Sequence, residues 1–176
     1  MNAIVIYFSR AGSNWVEDDV KELSIGNNEI LAKYVQKQTD ADIFKIETKR
    51  QYTNEYYKAT EEVKEELKQN ARPELVNYPK NLDEYDTIYL IYPIWWSTCP
   101  MAVFTFLEKY NLDGKTIIPL CSHEGSGVAN SVEDIKKSAK NAIVKDAYQT
   151  RGYRCQNLEN DKEMQDEIDN FLQQNK

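Results

Sequence analysis

Three short stretches of this chain are apolar at almost every consecutive position, and they leave few folds open. They read Ala-Ile-Val-Ile-Tyr-Phe (Ala3–Phe8), Thr-Ile-Tyr-Leu-Ile-Tyr (Thr87–Tyr92) and Thr-Ile-Ile-Pro-Leu-Cys (Thr116–Cys121). A strand with one wet face alternates polar and apolar side chains, whereas a strand covered by helices on both faces does not. Two further runs, Asp42–Glu47 and Ile143–Tyr148, complete a set of five. Between and after them lie helical patterns at Asn28–Lys37, Tyr56–Gln69, Met101–Lys109, Ser131–Ala139 and Asp161–Gln174. Ser131-Val132-Glu133-Asp134 reads as a capping box. Strict alternation of this kind predicts an α/β fold: a three-layer, doubly wound, five-stranded parallel sheet. Right-handed crossovers favour the order 2-1-3-4-5. Pro119 lacks a ladder donor, so it is expected at a bulge or near a strand end. No repeat or Pro/Gly/Ser-rich linker interrupts the 176 residues, and residues 1–176 read as a single domain.

Charge and cysteine usage narrow the function classes. The formal net charge is −7, which argues against nucleic acid and anionic membrane as partners. No apolar stretch is long enough for a membrane span, and the first residues lack the basic and apolar regions of a secretory leader. Cys99, Cys121 and Cys155 form neither a disulfide framework nor a zinc pattern, and the chain has 1 histidine. No metal is expected, and the expected compartment is the cytoplasm.

In a sheet of this order, ligands bind beyond the carboxyl ends of the strands, where the order reverses. That rule selects three loops. After the first strand comes Ser9-Arg10-Ala11-Gly12-Ser13-Asn14, whose hydroxyls and open amides suit a phosphate, although an ordinary polar turn has similar composition. It matches neither the Gly-x-x-x-x-Gly-Lys loop of nucleotide triphosphatases nor Gly-x-Gly-x-x-Gly. After the third strand comes Pro93-Ile94-Trp95-Trp96-Ser97-Thr98; two adjacent tryptophans suit a flat aromatic ligand, or else a plug or dimer contact. After the fourth comes Ser122-His123-Glu124-Gly125-Ser126-Gly127, which carries the sole histidine and lets backbone approach a ligand.

Taken together, these loops resemble the flavodoxin-like family over nearly the whole chain. The likeness is carried by Tyr7-Phe8-Ser9-Arg10, Asn70-Ala71-Arg72-Pro73-Glu74, Leu82-Asp83-Glu84-Tyr85-Asp86, Tyr92-Pro93-Ile94-Trp95-Trp96, Gly114-Lys115-Thr116-Ile117-Ile118-Pro119 and Gly125-Ser126-Gly127. It implies FMN as cofactor and electron transfer as role, with an FMN-dependent NAD(P)H:quinone or flavin reductase as the alternative. A carrier implies redox protein partners with a basic docking surface; the molecule is then a monomer or a homodimer. A signalling receiver on the same sheet would want acidic residues where Ser9 and Pro93 stand. The residues implied to meet FMN are Ser9, Arg10, Ala11, Asn27 and Asn28 at the phosphate; Pro93, Ile94, Trp95, Trp96, Ser97 and Thr98 at the ring; and Ser122, His123, Glu124 and Gly125 at its polar edge, with no side chain expected to be catalytic. The family's phosphate loop runs straight into a helix, but here Ser9-Arg10-Ala11 and Gly26-Asn27-Asn28 are far apart. The loop therefore reads as split by an insertion at about residues 13–25, which contains Trp15 and either covers the flavin edge or forms a mobile surface loop. The rival alignment keeps the loop contiguous through Gly12, Ser13 and Asn14. Asn28 stands where the family has threonine.

Overall fold

In the computed structural model, residues 2–175 are described. Strand β1 (Ala3–Tyr7) is followed by β2 (Gly12–Val16), β3 (Asp19–Leu23), α1 (Asn27–Thr39), β4 (Asp42–Lys45), α2 (Tyr56–Lys68), β5 (Thr87–Pro93) and α3 (Met101–Leu107). Then come β6 (Thr116–His123), α4 (Ser131–Ser138), β7 (Ile143–Val144), β8 (Tyr148–Arg151), α5 (Gly152–Gln156) and α6 (Lys162–Gln174). The main sheet runs β4-β1-β5-β6-β7, all parallel, with β8 also on β6. This is the predicted order 2-1-3-4-5, its fifth member being β7 and β8 in succession.

The consecutive apolar runs are explained by two separate cores. Along β1, Ile4 and Ile6 join the core that takes in α3 and Ile135 of α4, while Val5 and Tyr7 join the one containing Leu31, Val35 and α6. Adjacent residues thus point to opposite faces, and both faces are dry. The fifth strand departs from expectation: Ile143–Tyr148 is not one strand. Pairing with β6 covers Thr116 and Ile117, then resumes at Leu120. The break falls opposite Pro119. Ile143 N–H donates to Lys115 O (2.8 Å) and Lys145 N–H to Ile117 O (2.9 Å), so odd-numbered backbone groups of β6 face the fifth strand. Pro119 belongs to that set and has no N–H to offer. The proline therefore sits in mid-strand, and the neighbouring strand gives way beside it.

One local reading is corrected. Ser131 is not a helix cap: Asn130 holds that position without a side-chain cap, and the Ser131 hydroxyl donates back to Val128 O at 2.7 Å. Residues 13–25, the expected insertion, have regular structure. They largely form an antiparallel hairpin in which Ser13 pairs with Glu22 and Trp15 with Val20.

Candidate functional site

The hairpin returns the chain to its point of departure. Gly26 caps α1 with extended backbone, and a β-carbon there would lie 2.6 Å from Arg10 O. Only a residue without a side chain lets the helix start so close to the end of β1. Ser9 Oγ accepts from Glu29 N–H at 3.0 Å, which leaves its own hydrogen free to donate. Two halves of one turn, distant in sequence, thus meet at the N-terminus of a thirteen-residue helix. Within the described residues no hydrogen bond engages the N–H groups of Asn27 or Asn28, the usual condition of first-turn amides.

Asn28 itself is 3% exposed. Its Nδ2 donates to Ser122 Oγ at 2.9 Å, and its Oδ1 is the one buried side-chain polar atom without a partner among the described residues. A buried orphan acceptor costs about 1–3 kcal/mol. Turning the amide over only exchanges the orphan: Oδ1 then accepts from the Ser122 hydroxyl, and Nδ2 is left without an acceptor.

This corner opens into a cavity of about 160 Å³ lined by Ser9, Arg10, Asn27, Asn28, Pro93, Ile94, Trp95, Ser122, His123 and Glu124, together with Asn14, Trp15 and Tyr56. Ten of the sequence-predicted residues therefore line one space. Trp96 lines only a neighbouring, larger cavity of about 540 Å³, whose walls are mainly the hairpin, α2 and Ile94–Trp96. Ala11 lies in a separate groove with Gly12 and Asn54. Ser97, Thr98 and Gly125 line neither cavity: Thr98 is buried and donates to Asp134 at 2.8 Å, and Gly125 N–H donates to His123 Nδ1 at 2.9 Å.

The adjacent tryptophans have different surroundings. Trp95 is held edge-on by Phe8 and Tyr52, with ring centroids 5.1 and 5.4 Å away. Trp96 is 47% exposed; its Nε1 donates to Thr60 O at 3.0 Å and Lys64 Nζ lies 5.3 Å from its ring centre. They diverge at a tight turn in which Trp95 and Thr98 exchange backbone bonds, with φ of 48° at Trp96 and 69° at Ser97. Left-handed backbone at two residues other than glycine is strained, and strain of this kind concentrates at functional loops.

Charges around the site are few. Arg10 donates to Ser13 O, to Thr53 O (2.7 Å) and to Asn54 O (2.8 Å), so its guanidinium chiefly ties the hairpin to the segment before α2. His123 is held below its ordinary range by burial and by Arg151, and is neutral at pH 7. Its Nδ1 accepts a bond, so Nε2 carries the hydrogen. The Glu124 carboxyl, open to solvent on one side, is pushed up to about 7 by burial, against Arg151 and the Gly152 N–H. Tyr56, Tyr57, Thr60 and Arg151 were not singled out from the sequence as site residues, and Asn14 only in the rival alignment. Tyr57, in the first turn of α2, is 62% exposed. Two adjacent tyrosines opening a highly charged helix were the available signal. Among the described residues there is no cluster of His, Cys, Asp or Glu suited to a metal, and no helix is long and apolar enough to cross a membrane.

A family model described as flavodoxin matches residues 3–166. No curated protein matches significantly. Among solved structures, a Bacteroides uniformis protein provisionally named a flavoprotein aligns with TM-score 0.71 and 24% identity, over 89% of this chain and 94% of that one. A Lactobacillus acidophilus flavoprotein in complex with FMN gives 0.64 and 14%, over 84% and 92%. The apo form of an NADH:FMN oxidoreductase gives 0.56 and 12%, over 99% and 88%. At these identities the structural likeness speaks for the fold.

Proposed function

The chain belongs to the flavodoxin family, and from that premise we propose that it holds one FMN at the carboxyl ends of β1, β5 and β6 and transfers electrons. The observation that carries this reading is the buried, unpartnered Asn28 amide in the smaller cavity, beside two unused helix amides. The residues fit the cofactor. A phosphate suits the Asn27 and Asn28 N–H groups and the Ser9 hydroxyl at the positive end of the α1 dipole. A ribityl hydroxyl suits Asn28 Oδ1, and a flat ring suits the space between Ile94–Trp95 and His123–Glu124. The structural relative from Lactobacillus acidophilus, in complex with FMN, supports the choice.

When bound, FMN supplies one- and two-electron chemistry, so the protein need only bind, shield and tune it. Ser9, Asn27 and Asn28 anchor the phosphate. Arg10 holds the hairpin in place and adds a positive charge nearby. Trp95, fixed by Phe8 and Tyr52, gives the ring a rigid wall and excludes water. His123 offers a neutral N–H donor at the polar edge. FMN added to the purified protein should quench tryptophan and flavin fluorescence together, and riboflavin, lacking the phosphate, should bind much more weakly. Equal affinities for the two would remove the phosphate cradle.

The role we favour is that of a carrier. The −7 charge suits docking to a redox protein with a basic surface, and no nucleophile with an adjacent base lines the site. The larger cavity favours a second reading, a reductase acting on a small molecule. The two separate kinetically. A carrier takes electrons from a partner flavoprotein at a rate that falls with ionic strength. Rapid, saturable oxidation of NADH or NADPH without any partner would replace it with the reductase.

A further inference from the structure

Trp95 ties the site to a part of the molecule that the site does not use. Its ring is met edge-on by Tyr52 at 5.4 Å between centroids, and the Tyr52 phenol donates to Glu66 Oε2 at 2.8 Å. Tyr52 lines neither cavity of the site; it borders a groove on the acidic side of α2, together with Glu62 and Glu66. We propose that Trp95, Tyr52 and Glu66 form a one-electron relay. It carries an oxidising equivalent out of the site and leaves it on Tyr52, while Glu66 takes the phenol proton. That the oxidant is a light-excited flavin rests on the FMN reading above; the step from Trp95 to Tyr52 does not.

Electrons and protons balance within these side chains and their oxidant. Trp95 yields one electron to the excited ring and becomes an indole radical cation. Tyr52 returns one electron to Trp95, its O–H bond breaks, and the proton passes to the Glu66 carboxylate. At the end the flavin holds one electron more, Trp95 is restored, Tyr52 is a neutral phenoxyl radical and Glu66 a neutral acid.

Packing and burial both favour this course. Phe8 lies 5.1 Å from the Trp95 ring and 6.3 Å from that of Tyr52, so the two redox rings are held in contact. Taking an electron alone from a half-buried phenol leaves a poorly solvated cation. Moving the proton along the existing hydrogen bond leaves Tyr52 uncharged and removes the charge of Glu66. Burial also raises the Tyr52 phenol, which therefore keeps its proton until it is oxidised. The same cause holds the Glu66 carboxyl above the usual carboxylate range, which makes it a better base than an exposed glutamate. Glu62 does not compete for the phenol. It accepts from the Thr53 N–H at 3.0 Å and the Thr53 hydroxyl at 2.6 Å, with Arg50 Nη2 3.7 Å away.

The test uses FMN-free protein carrying Trp15→Phe and Trp96→Phe, which leaves Trp95 as the only indole. Azidyl radical made by pulse radiolysis removes one electron from it, and transient absorption follows the indole and phenoxyl radicals. The first signal should convert to the second in a single first-order step, independent of protein concentration and slower in deuterium oxide. Tyr52→Phe and Glu66→Gln, each close in shape to the original, should slow that step by about tenfold or more. No conversion in the protein with Tyr52 and Glu66 intact, or a rate unchanged by Tyr52→Phe, would overturn the relay. A rate unchanged by Glu66→Gln, or equal in both solvents, would overturn the part given to Glu66. A second arm illuminates the FMN-loaded protein with blue light. There Tyr52→Phe should lose Trp95 to oxidation faster than the wild type, as read by mass spectrometry, and equal losses would remove the flavin as the oxidant. If the protein takes up no FMN, the earlier reading fails by itself, and radiolysis of the bare protein still judges the relay.

Discussion

Asn28 and Glu124 show how much a single side chain decides here. Asn28 is buried with half its amide unused, so Asn28→Ala, which keeps the backbone N–H and deletes the ribityl contact, should weaken FMN by about three- to tenfold, the worth of a neutral hydrogen bond. Riboflavin, which keeps the ribityl chain, should lose affinity by a similar factor, and parallel fluorescence titrations check the agreement. Glu124 sets a pH dependence. Its carboxyl is raised to about 7, so it is neutral well below that pH and negative above it. In the FMN reading above, the negative form would stand at the polar edge of the electron-rich ring. Wild type and Glu124→Gln should therefore bind FMN alike near pH 5.5, and the wild type should become the weaker binder as pH rises through about 7. Dissociation constants measured for both proteins across that window test the sign. Parallel curves throughout would remove Glu124 from the site.

At the level of elements, two turns carry the constraint. A methyl group at Gly26 would meet Ser9 and Arg10, so Gly26→Ala must push α1 away from β1. It should cost on the order of 1–3 kcal/mol in urea unfolding and weaken FMN as well. Ser97 has the opposite character: its φ of 69° lies in a region glycine enters freely. Ser97→Gly should stabilise the fold by about 1 kcal/mol. The elements were unequally legible in the sequence. The strands of the sheet centre showed themselves because burial on both faces demands unbroken apolar runs. The fifth showed itself as one run where there are two short strands, because Lys145, Asp146 and Ala147 lie at a break imposed by a proline on the neighbouring strand. The hairpin was hidden by its polarity, since Ser13, Asn14, Lys21 and Glu22 give no alternating apolar face. The strand-end rule found the loops of the site, but not the α2 residues, which reach it only through tertiary packing. The burial of Asn28 likewise follows from topology, with Ser122 brought to it from the far end of β6.

Seen as a whole, the molecule keeps its reactive thiols inside. Cys99, Cys121 and Cys155 are all buried, and burial pushes Cys121 and Cys155 up to about 12 and Cys99 well above the usual thiol range. A thiolate is the species that reacts. The native protein should therefore leave a thiol reagent unconsumed at about pH 8, and the unfolded chain should consume one equivalent per cysteine. Early reaction of any one thiol would reveal an opening of the sheet well below global unfolding. The joint where the hairpin leaves and re-enters has a broader consequence. Because Ser9, Arg10 and Gly26 close on one another directly, the proposed phosphate cradle does not depend on what the chain does between them. A segment spliced in at such a seam can lengthen, shorten or change its aromatic residues with the grip on the phosphate intact. Descendants of one ancestral protein can in this way revise which molecules gain access to the flavin while inheriting its mounting unchanged.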